Sequence, residues 1–434
     1  MKQTHPILTA LLIFSAILFV TIPSFGADTI KIGVLYPLTG GAAAEGRELR
    51  PGAELAAEIA NNIMPIDMDM AKRGGITSLG GAKIELIFKD HEGNPTLGAD
   101  LAKKLILDDK VVGILGCYQS AVTKAVSAVC EQYGIPMIND SSTSPALTQR
   151  ELQWFWRTTP NDVTFTKDLF EFFKGLTEGK VKGVPAVPKQ QISKLASACE
   201  KTEWGSQVSE TIDVFAKQYG FEVKKALLYA AKSPDLSSEV MSLKAANPDA
   251  MLFACYASDA ILMMKTLKAQ KVSAKIMWGQ DGGFEAPEFW QTLGDDIVGV
   301  LTRSVFAPKV AEAKKAAGQV NAIFKAKQGH DLSGASARAF TGVQTWVEVI
   351  QKAGSTKPED IQRAANTIMI PGDQLIVPWA GIKFSSAKED KGQNELGSGI
   401  IGQYQKDKEG KIVLEIVYPF DLATANMIYP FKSF

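Results

Sequence analysis

The chain has 434 residues, with 47 basic and 47 acidic side chains and three histidines. This balance of charge argues against nucleic acid or an anionic membrane surface as the main partner, because either would favour a basic patch. At roughly 100 to 200 residues per domain, the length predicts two domains or lobes.

The first 26 residues have the pattern of a secretory signal peptide. Lys2 precedes an apolar run from Ile7 to Ile22, and Ser24 and Gly26 follow at the spacing of a cleavage site. The apolar run is short for a membrane anchor, and no later stretch has the length of a membrane span. We therefore expect cleavage after Gly26 and export of the remaining chain.

Strands and helices alternate through the first part of the chain. Strands are predicted at Asp28–Tyr36 and Lys83–Lys89, with a helix beginning at Gly46 between them. A helix at Leu97–Leu107 then leads to a third strand at Val111–Leu115. This order predicts a parallel sheet covered by helices on both faces.

Two successive predicted strands end in loops rich in hydroxyl groups. Val111–Leu115 is followed by Ser120, and Ile135–Ile138 is followed by Ser141–Thr143 before a helical turn. Neighbouring parallel strands place such loops at one edge of the sheet, where the N–H groups of the helix starts are unpaired. These groups can hold a carboxylate or phosphate without Arg or Lys. Ordinary helix capping explains Ser and Thr there equally well, so the local pattern leaves both interpretations open.

A second alternation of the same kind runs from Asp162 to Trp278. Helices between Val310 and Ile368 follow with few strands among them, and we expect them to cover the first sheet. A final extended region, Ile400–Tyr418, is predicted to form a hairpin.

The predicted fold class is α/β, with two doubly wound parallel-sheet lobes joined by a three-strand hinge. The chain is expected to cross between the lobes near Thr159, Phe306 and Val377, leaving a cleft between them. The expected bounds are 1–26 for the signal peptide, 27–158 with 307–376 for lobe 1, and 159–306 with 377–434 for lobe 2.

The four cysteines, Cys117, Cys130, Cys199 and Cys255, have no CxxC spacing and no histidine nearby that would suggest a metal cluster. Export makes a disulfide possible, and Cys199 and Cys255 each lie near the end of a predicted strand. The sequence leaves open either this disulfide or four buried thiols.

An ordered series of segments resembles one known family. The segments are IKIGVLYPLTG, KIELIFKD, IPMINDSSTSPALTQ, WFWRTTP, MLFACYASDA, WGQDG and the terminal IVYP. In these the chain is similar to the periplasmic Leu/Ile/Val-binding proteins, the type I solute receptors of branched-chain amino acid ABC importers. The resemblance implies a monomeric periplasmic receptor that uses no cofactor, binds no nucleic acid and delivers a small molecule to an inner-membrane permease.

In that family, hydroxyls and backbone amides at two helix starts of lobe 1 hold the α-carboxylate of the ligand. The matching positions are Ser120, the backbone of Ala121, the backbone of Ser141, and Thr143. The resemblance thus implies the same anion site that the two hydroxyl-rich loops indicate.

The family holds the ligand's α-ammonium with an acidic side chain and a Tyr of lobe 2, and the matching residues are Asp281 and Tyr256. Asp281 has an alternative interpretation as a turn residue before Gly282, and Tyr256 as a packing aromatic. The family more often has Glu at the acidic position, which leaves the identity of the ligand open. Four further residues are expected to line the pocket: Trp204, Tyr118, Trp278 and Glu45.

The leading hypothesis is capture of an α-amino acid with an apolar or aromatic side chain. The alternatives are a receptor for an amide, urea or aromatic carboxylate, which would not need Asp281, and a soluble component that presents a ligand to a sensor. An enzyme is disfavoured because the sequence has no GxSxG elbow and no phosphate loop of GxxxxGK[ST] form.

Overall fold

The computed structural model describes residues 29–434, and the predicted signal peptide at 1–26 lies outside them. The described chain forms two α/β lobes, as predicted, and passes between them three times. Within residues 29–434, no helix combines the length and the apolar character that a bilayer crossing requires.

The first lobe begins with alternating strands and helices. In chain order these are β1 (Ile30–Tyr36), α1 (Ala43–Asn61), α2 (Asp69–Arg73), β2 (Ile84–Asp90), α3 (Pro95–Leu107), β3 (Gly113–Gly116), α4 (Ser120–Tyr133), β4 (Met137–Asn139) and β5 (Phe155–Arg157). The strands form a parallel sheet in the order β2-β1-β3-β4-β5. β1 is buried along almost its whole length, which explains why its sequence is nearly continuously apolar.

The second lobe repeats this alternation. Its elements are α5 (Asp162–Thr177), β6 (Lys194–Glu200), α6 (Glu203–Tyr219), β7 (Glu222–Tyr229), α7 (Ser237–Ala246), β8 (Ala250–Ala254), α8 (Ala257–Ala269), β9 (Ile276–Gly279), α9 (Pro287–Leu293) and β10 (Leu301–Ser304). The five strands β10-β9-β8-β6-β7 run parallel to their neighbours. Both lobes therefore present the carboxyl ends of their strands to the cleft.

The chain then returns to the first lobe. It forms α10 (Pro308–Ala313), α11 (Lys315–Gln328), α12 (Gly334–Ala353), α13 (Pro358–Asn366) and the short strands β11 (Ile370–Pro371) and β12 (Gly381–Ile382). α12 lies against α1, and its Trp346 packs over Gly113 of the sheet. α12 is buried along most of its length for this reason.

The third crossing lies later in the chain than predicted. Val377 and Trp379 belong to the core of the first lobe, although we assigned residues from 377 onward to the second. Arg157 in β5 donates its N–H to the carbonyl of Gly392 and accepts from the N–H of Asn394. These bonds extend the edge of the first sheet, so the chain leaves the first lobe only between residues 396 and 400.

The predicted hairpin at 400–418 is confirmed as β13 (Ile400–Lys406) and β14 (Ile412–Tyr418). β13 pairs antiparallel with β10, which makes the second sheet seven-stranded and mixed. The disulfide hypothesis is wrong in this structure, because Cys199 and Cys255 are both free. Cys117 and Cys130 are free as well, and all four thiols are buried.

Four carboxyl groups in buried or half-buried positions retain their protons to unusually high pH. Because burial disfavours the charged form, the pKa rises to about 6 for Asp140, to about 7 for Glu45 and Asp168, and to about 8 for Glu200. Burial lowers the pKa of His91 to about 4. This group therefore affects the pH dependence of stability only below about pH 6.5, which is the pKa of histidine in the unfolded chain.

The close contact between α1 and α12 gives a first prediction. A Cβ atom on Gly52 would lie 2.2 Å from the carbonyl oxygen of Ser336, so the two helices must separate to admit it. We expect Gly52→Ala to lower the free energy of unfolding by about 1–3 kcal/mol, measured by urea denaturation. Glu54→Ala, on the exposed face of the same helix, should change it by less than about 0.5 kcal/mol. Equal effects of the two changes would contradict the close packing.

The raised pKa values predict that stability falls as pH rises from 6.5 to 8.5. In this range the folded state binds protons that the unfolded chain has already released, so the free energy of unfolding decreases with pH. Each such group contributes about 1.4 kcal/mol per pH unit up to its folded pKa. Urea unfolding at pH 6.5, 7.5 and 8.5 measures the slope. Glu200→Gln should make it shallower, whereas Glu222→Gln at an exposed site should not. A stability that rises with pH in the wild type would contradict this assignment.

Candidate ligand-binding site in the interlobe cleft

Loops from both lobes enclose a small cavity in the cleft. The loops after β3 and β4 approach from the first lobe, and those after β8 and β9 approach from the second, together with the start of α6. The cavity has a volume of about 20 Å³ and is lined by Tyr118, Ser120, Ser141, Thr143, Trp204, Tyr256, Asp281, Gly282 and Arg303. The structure thus brings together most of the residues predicted to form the site, from segments far apart in the chain.

Ser120 and Ser141 form the first-lobe wall of the cavity. Ser120 begins the 14-residue helix α4, and its hydroxyl accepts a hydrogen bond from the N–H of Ser144 at 3.4 Å. Ser141 is 5% exposed, and its hydroxyl has no hydrogen-bond partner in the protein. A buried hydroxyl is normally paired, and the positive end of α4 favours a negative charge beside it. This wall is therefore suited to an anionic oxygen.

Thr143 makes a different set of contacts. Its hydroxyl donates to Oδ2 of Asp162 at 2.8 Å and accepts from Nη2 of Arg303 at 3.3 Å. A hydroxyl has one proton, so Thr143 has none left to donate to a ligand in this arrangement. Here it connects the two lobes, and its role in carboxylate binding stays a prediction.

Asp281 lies in the cavity wall, where it pairs with two buried arginines. Its Oδ2 is 3.0 Å from Nη1 of Arg303 and 2.5 Å from Nη2 of Arg338. Burial would raise the pKa of Asp281, but the charges of Arg338 and Arg303 outweigh burial and lower it to about 2. Arg338 belongs to α12 of the first lobe, so this ion pair crosses the cleft. The predicted contact of Asp281 with a ligand ammonium stays a prediction.

The backbone around Asp281 is held by its neighbours. Asp281 has φ 61° and ψ −136°, a conformation that residues other than glycine rarely adopt. Gly282 has φ 54°, and a Cβ atom there would lie 2.7 Å from the Trp204 ring and 2.9 Å from the carbonyl oxygen of Cys255. The loop therefore requires glycine at this position, and Trp204 packs directly on it.

The polar network extends to both ends of the cleft. Arg303 Nη2 lies 3.1 Å from Oδ1 of Asp162 at the first crossing, and Arg338 Nη1 lies 3.7 Å from Oε2 of Glu285, whose pKa is raised well above its usual range by burial and by the charge of Asp281. We did not identify any of these four residues from the sequence. The available signal was an arginine inside a predicted extended segment, Arg303, and another inside a largely apolar helix, Arg338.

Trp278 does not line the cavity, although it was expected to. It is fully buried in the core of the second lobe, and its Nε1 donates to Oε1 of Gln280 at 3.0 Å. Gln280 in turn donates to Oδ1 of Asp162 at 3.2 Å. The Trp278 indole thus affects the cleft indirectly, because it positions Gln280, which contacts Asp162 of the ion-pair network.

Three aromatic side chains close the cavity across the cleft. The ring centroids of Trp204 and Tyr256 are 5.0 Å apart, and those of Tyr256 and Tyr118 are 5.7 Å apart. Tyr118 comes from the first lobe and the other two from the second. Trp204 is placed at the start of α6 by the N-cap Thr202, whose hydroxyl accepts from the N–H of Gly205. These rings form an apolar wall between the polar groups of the two lobes.

Glu45 and Ala121 lie beside the cavity. Glu45 is buried in the first turn of α1, next to Tyr118 and Asp281, and neither of its carboxylate oxygens has a hydrogen-bond partner. Ala121 lines a neighbouring, larger chamber. The part of the chain that the structure describes contains no group of three metal-ligating side chains.

The ion pair between Asp281 and Arg338 gives a test of the network. Arg338→Met should lower the free energy of unfolding by about 3–5 kcal/mol, because Asp281 loses its closer partner inside the protein. The double variant Arg338→Met with Asp281→Asn should recover part of this loss, since it leaves less uncompensated charge. Urea unfolding of both single variants and the double variant measures the coupling.

Arg363→Met is the matched control, because Arg363 pairs with Asp360 at an exposed site and its loss should amount to less than about 1 kcal/mol. Strictly additive effects of the two buried substitutions would contradict the coupling.

The described fold and cleft agree with comparisons to known proteins. The family model of periplasmic binding proteins matches residues 29–394. Leu/Ile/Val-binding protein homolog 8 of Brucella abortus (strain 2308) is 27% identical over 401 residues, which cover 92% of each chain.

Two solved structures show the same fold. One is the leucine binding protein LivK of Thermotoga maritima, with a TM-score of 0.73 and 20% identity, covering 91% of this chain and all of that one. The other is a solute binding protein of an ABC transporter from Rhodopseudomonas palustris BisB5 in complex with 3,4-dihydroxybenzoic acid, with a TM-score of 0.72 and 19% identity, covering 93% of this chain and 99% of that one. The resemblance inferred from the sequence is confirmed: the chain belongs to the periplasmic binding protein family, whose members are solute receptors, and has the type I fold of its Leu/Ile/Val-binding relatives.

Proposed function

We propose that this protein is the extracytoplasmic receptor of an ABC importer, and that it closes its lobes around a small organic carboxylate. The observation that carries the proposal is the pair of buried hydroxyls at Ser120 and Ser141, one of which has no partner in the protein. The receptor acts as a monomer in the periplasm and delivers the ligand to an inner-membrane permease. Transport is driven by the permease's ATPase.

Capture begins on the first lobe. The ligand carboxylate binds to Ser120, Ser141 and the backbone N–H groups at the start of α4 while the cleft is open. Closure then brings Tyr256 and Trp204 of the second lobe over the ligand and removes water from the contacts, which strengthens them. The ligand shifts the population toward the closed form. The size of this shift is set by how much more tightly the ligand binds the closed form than the open form.

The charges around Asp281 favour an acid without an amine. A ligand ammonium at Asp281 would share the carboxylate with Arg303 and Arg338, two permanent cations within 3.0 Å of it. An organic acid leaves these ion pairs intact. The Rhodopseudomonas palustris neighbour, crystallised with 3,4-dihydroxybenzoic acid, shows that this fold accommodates an aromatic acid.

An α-amino acid is the second candidate. Asp281 and Tyr256 line the same cavity as Ser120, as the family's ammonium site requires, and a Leu/Ile/Val-binding relative spans 92% of the chain. In this case Asp281 has to exchange at least one arginine for the ammonium when the ligand binds.

Thermal unfolding with matched ligands separates the two candidates. We expect 4-methylpentanoate, 3-phenylpropanoate or benzoate to raise the melting temperature more than leucine and phenylalanine do. A ligand at 100 times its Kd adds about 2.7 kcal/mol of stability. The double variant Ser120→Ala with Ser141→Ala should lose the response, and Ser242→Ala, at an exposed helical position, should keep it.

A response limited to amino acids, and abolished by Asp281→Asn, would establish the second candidate in place of the first. A response to neutral amides alone, unchanged in the double serine variant, would overturn the carboxylate site for both.

A further inference from the structure

A second chamber lies beside Trp204 and Tyr256. Its volume is about 170 Å³, and its lining includes Gln119 and Ala121 of the first lobe and Glu200, Trp204 and Tyr256 of the second. Trp204 and Tyr256 also line the inner cavity, and Ala121 adjoins Ser120 at the start of α4. The chamber therefore adjoins the proposed carboxylate site, and the rings of Trp204 and Tyr256 stand between the two, so a ligand held at Ser120 would extend into it past these rings.

Two buried polar groups of the chamber have no partner in the protein. The side chain of Gln119 is 9% exposed, and its Oε1 accepts no hydrogen bond. Trp204 is 4% exposed, and its Nε1–H donates none. One group is an acceptor and the other a donor, and both come from neutral side chains. Buried polar groups of this kind are normally paired, so they point to a ligand.

A third buried polar group lines the chamber. Glu200 is 2% exposed, and its Oε1 accepts from the N–H of Tyr256 at 2.6 Å. Burial and the nearby charge of Asp259 raise the pKa of Glu200 to about 8, so at neutral pH it carries a proton and is uncharged. The hydrogen-bonding groups of Gln119, Trp204 and Glu200, which form the buried part of the lining, are thus neutral, and the charged residues of the lining, Glu92 and Lys232, lie at its exposed part.

We propose that this chamber is a specificity subsite for the far end of the ligand, and that it takes a hydroxyl or carboxamide group. Such a group both donates and accepts, so it can pair with Gln119 Oε1 and Trp204 Nε1 together. An apolar end leaves both groups unpaired, and a charged end gains no countercharge from them. The subsite rests on the proposed function, because it assumes a carboxylate held at Ser120 and Ser141.

The test compares acids that differ only at the far end. Isothermal titration calorimetry measures the Kd of benzoate against 4-hydroxybenzoate, 3-hydroxybenzoate and 4-carbamoylbenzoate, and of pentanoate against 5-hydroxypentanoate. In the series that fits the cleft, we expect the best hydroxyl- or amide-bearing acid to bind at least about tenfold more tightly than its unsubstituted parent. Gln119→Leu and Trp204→Phe should each reduce the ratio of the parent's Kd to the substituted acid's Kd toward one. Gln207→Leu, on α6 but outside the chamber, should leave the ratio as in the wild type.

Three outcomes would overturn the subsite. Equal binding of substituted and unsubstituted acids would remove it while leaving carboxylate capture in place. If a tenfold preference for the substituted acid remains in both Gln119→Leu and Trp204→Phe, other residues of the cleft recognise the far end of the ligand. Failure of every acid to bind, in calorimetry and in thermal unfolding, would overturn the proposed function and the subsite with it.

Discussion

The structure depends on a buried chain of opposite charges that joins its two lobes. Asp281 stands between Arg303 of its own lobe and Arg338 of the other, and Asp162 continues the chain to the first crossing. Removing these charges from water is unfavourable, and only their mutual pairing compensates for it. The closed arrangement meets this condition, because it brings Arg338 against Asp281. Opening the cleft separates that pair and lets water reach both groups. The energy of closure is therefore a property of the protein's own charges as well as of the ligand.

This arrangement changes what a ligand has to provide. In a receptor whose lobes are joined mainly by the ligand, the two charged ends of a zwitterion act as the bridge. Here the bridge between lobes is already made by Arg338 and Asp281, and by Thr143 with Asp162 and Arg303. In the proposed function, the ligand pairs with the remaining groups, which are the hydroxyl of Ser141 and the polar edge of the aromatic wall. Selectivity then depends on hydrogen bonding more than on net charge.

Much of the fold and most of the residues that line the cavity could be predicted from the sequence, for identifiable reasons. Ser120 and Ser141 follow consecutive parallel strands, so strand order alone places them together. Asp281 was found through resemblance, but its partners were not, because Arg338 lies 57 positions further along the chain on an element whose packing the local sequence does not determine. Trp278 was wrongly expected to line the cavity, because the alternation of side chains along a strand does not show which face of the sheet meets the cleft. The crossing near Val377 was placed too early because residues 392–394 extend the edge of the first sheet through backbone bonds, which the side-chain pattern does not reveal.

The four buried thiols have a consequence for how the protein reaches its folded state. Burial raises the pKa of each thiol, so little of the reactive thiolate forms in the folded protein. No covalent cross-link between cysteines holds the described residues, so noncovalent interactions stabilise them. The fold therefore makes no demand on oxidants or on disulfide exchange, and it is attainable in a reducing compartment as well as in an oxidising one.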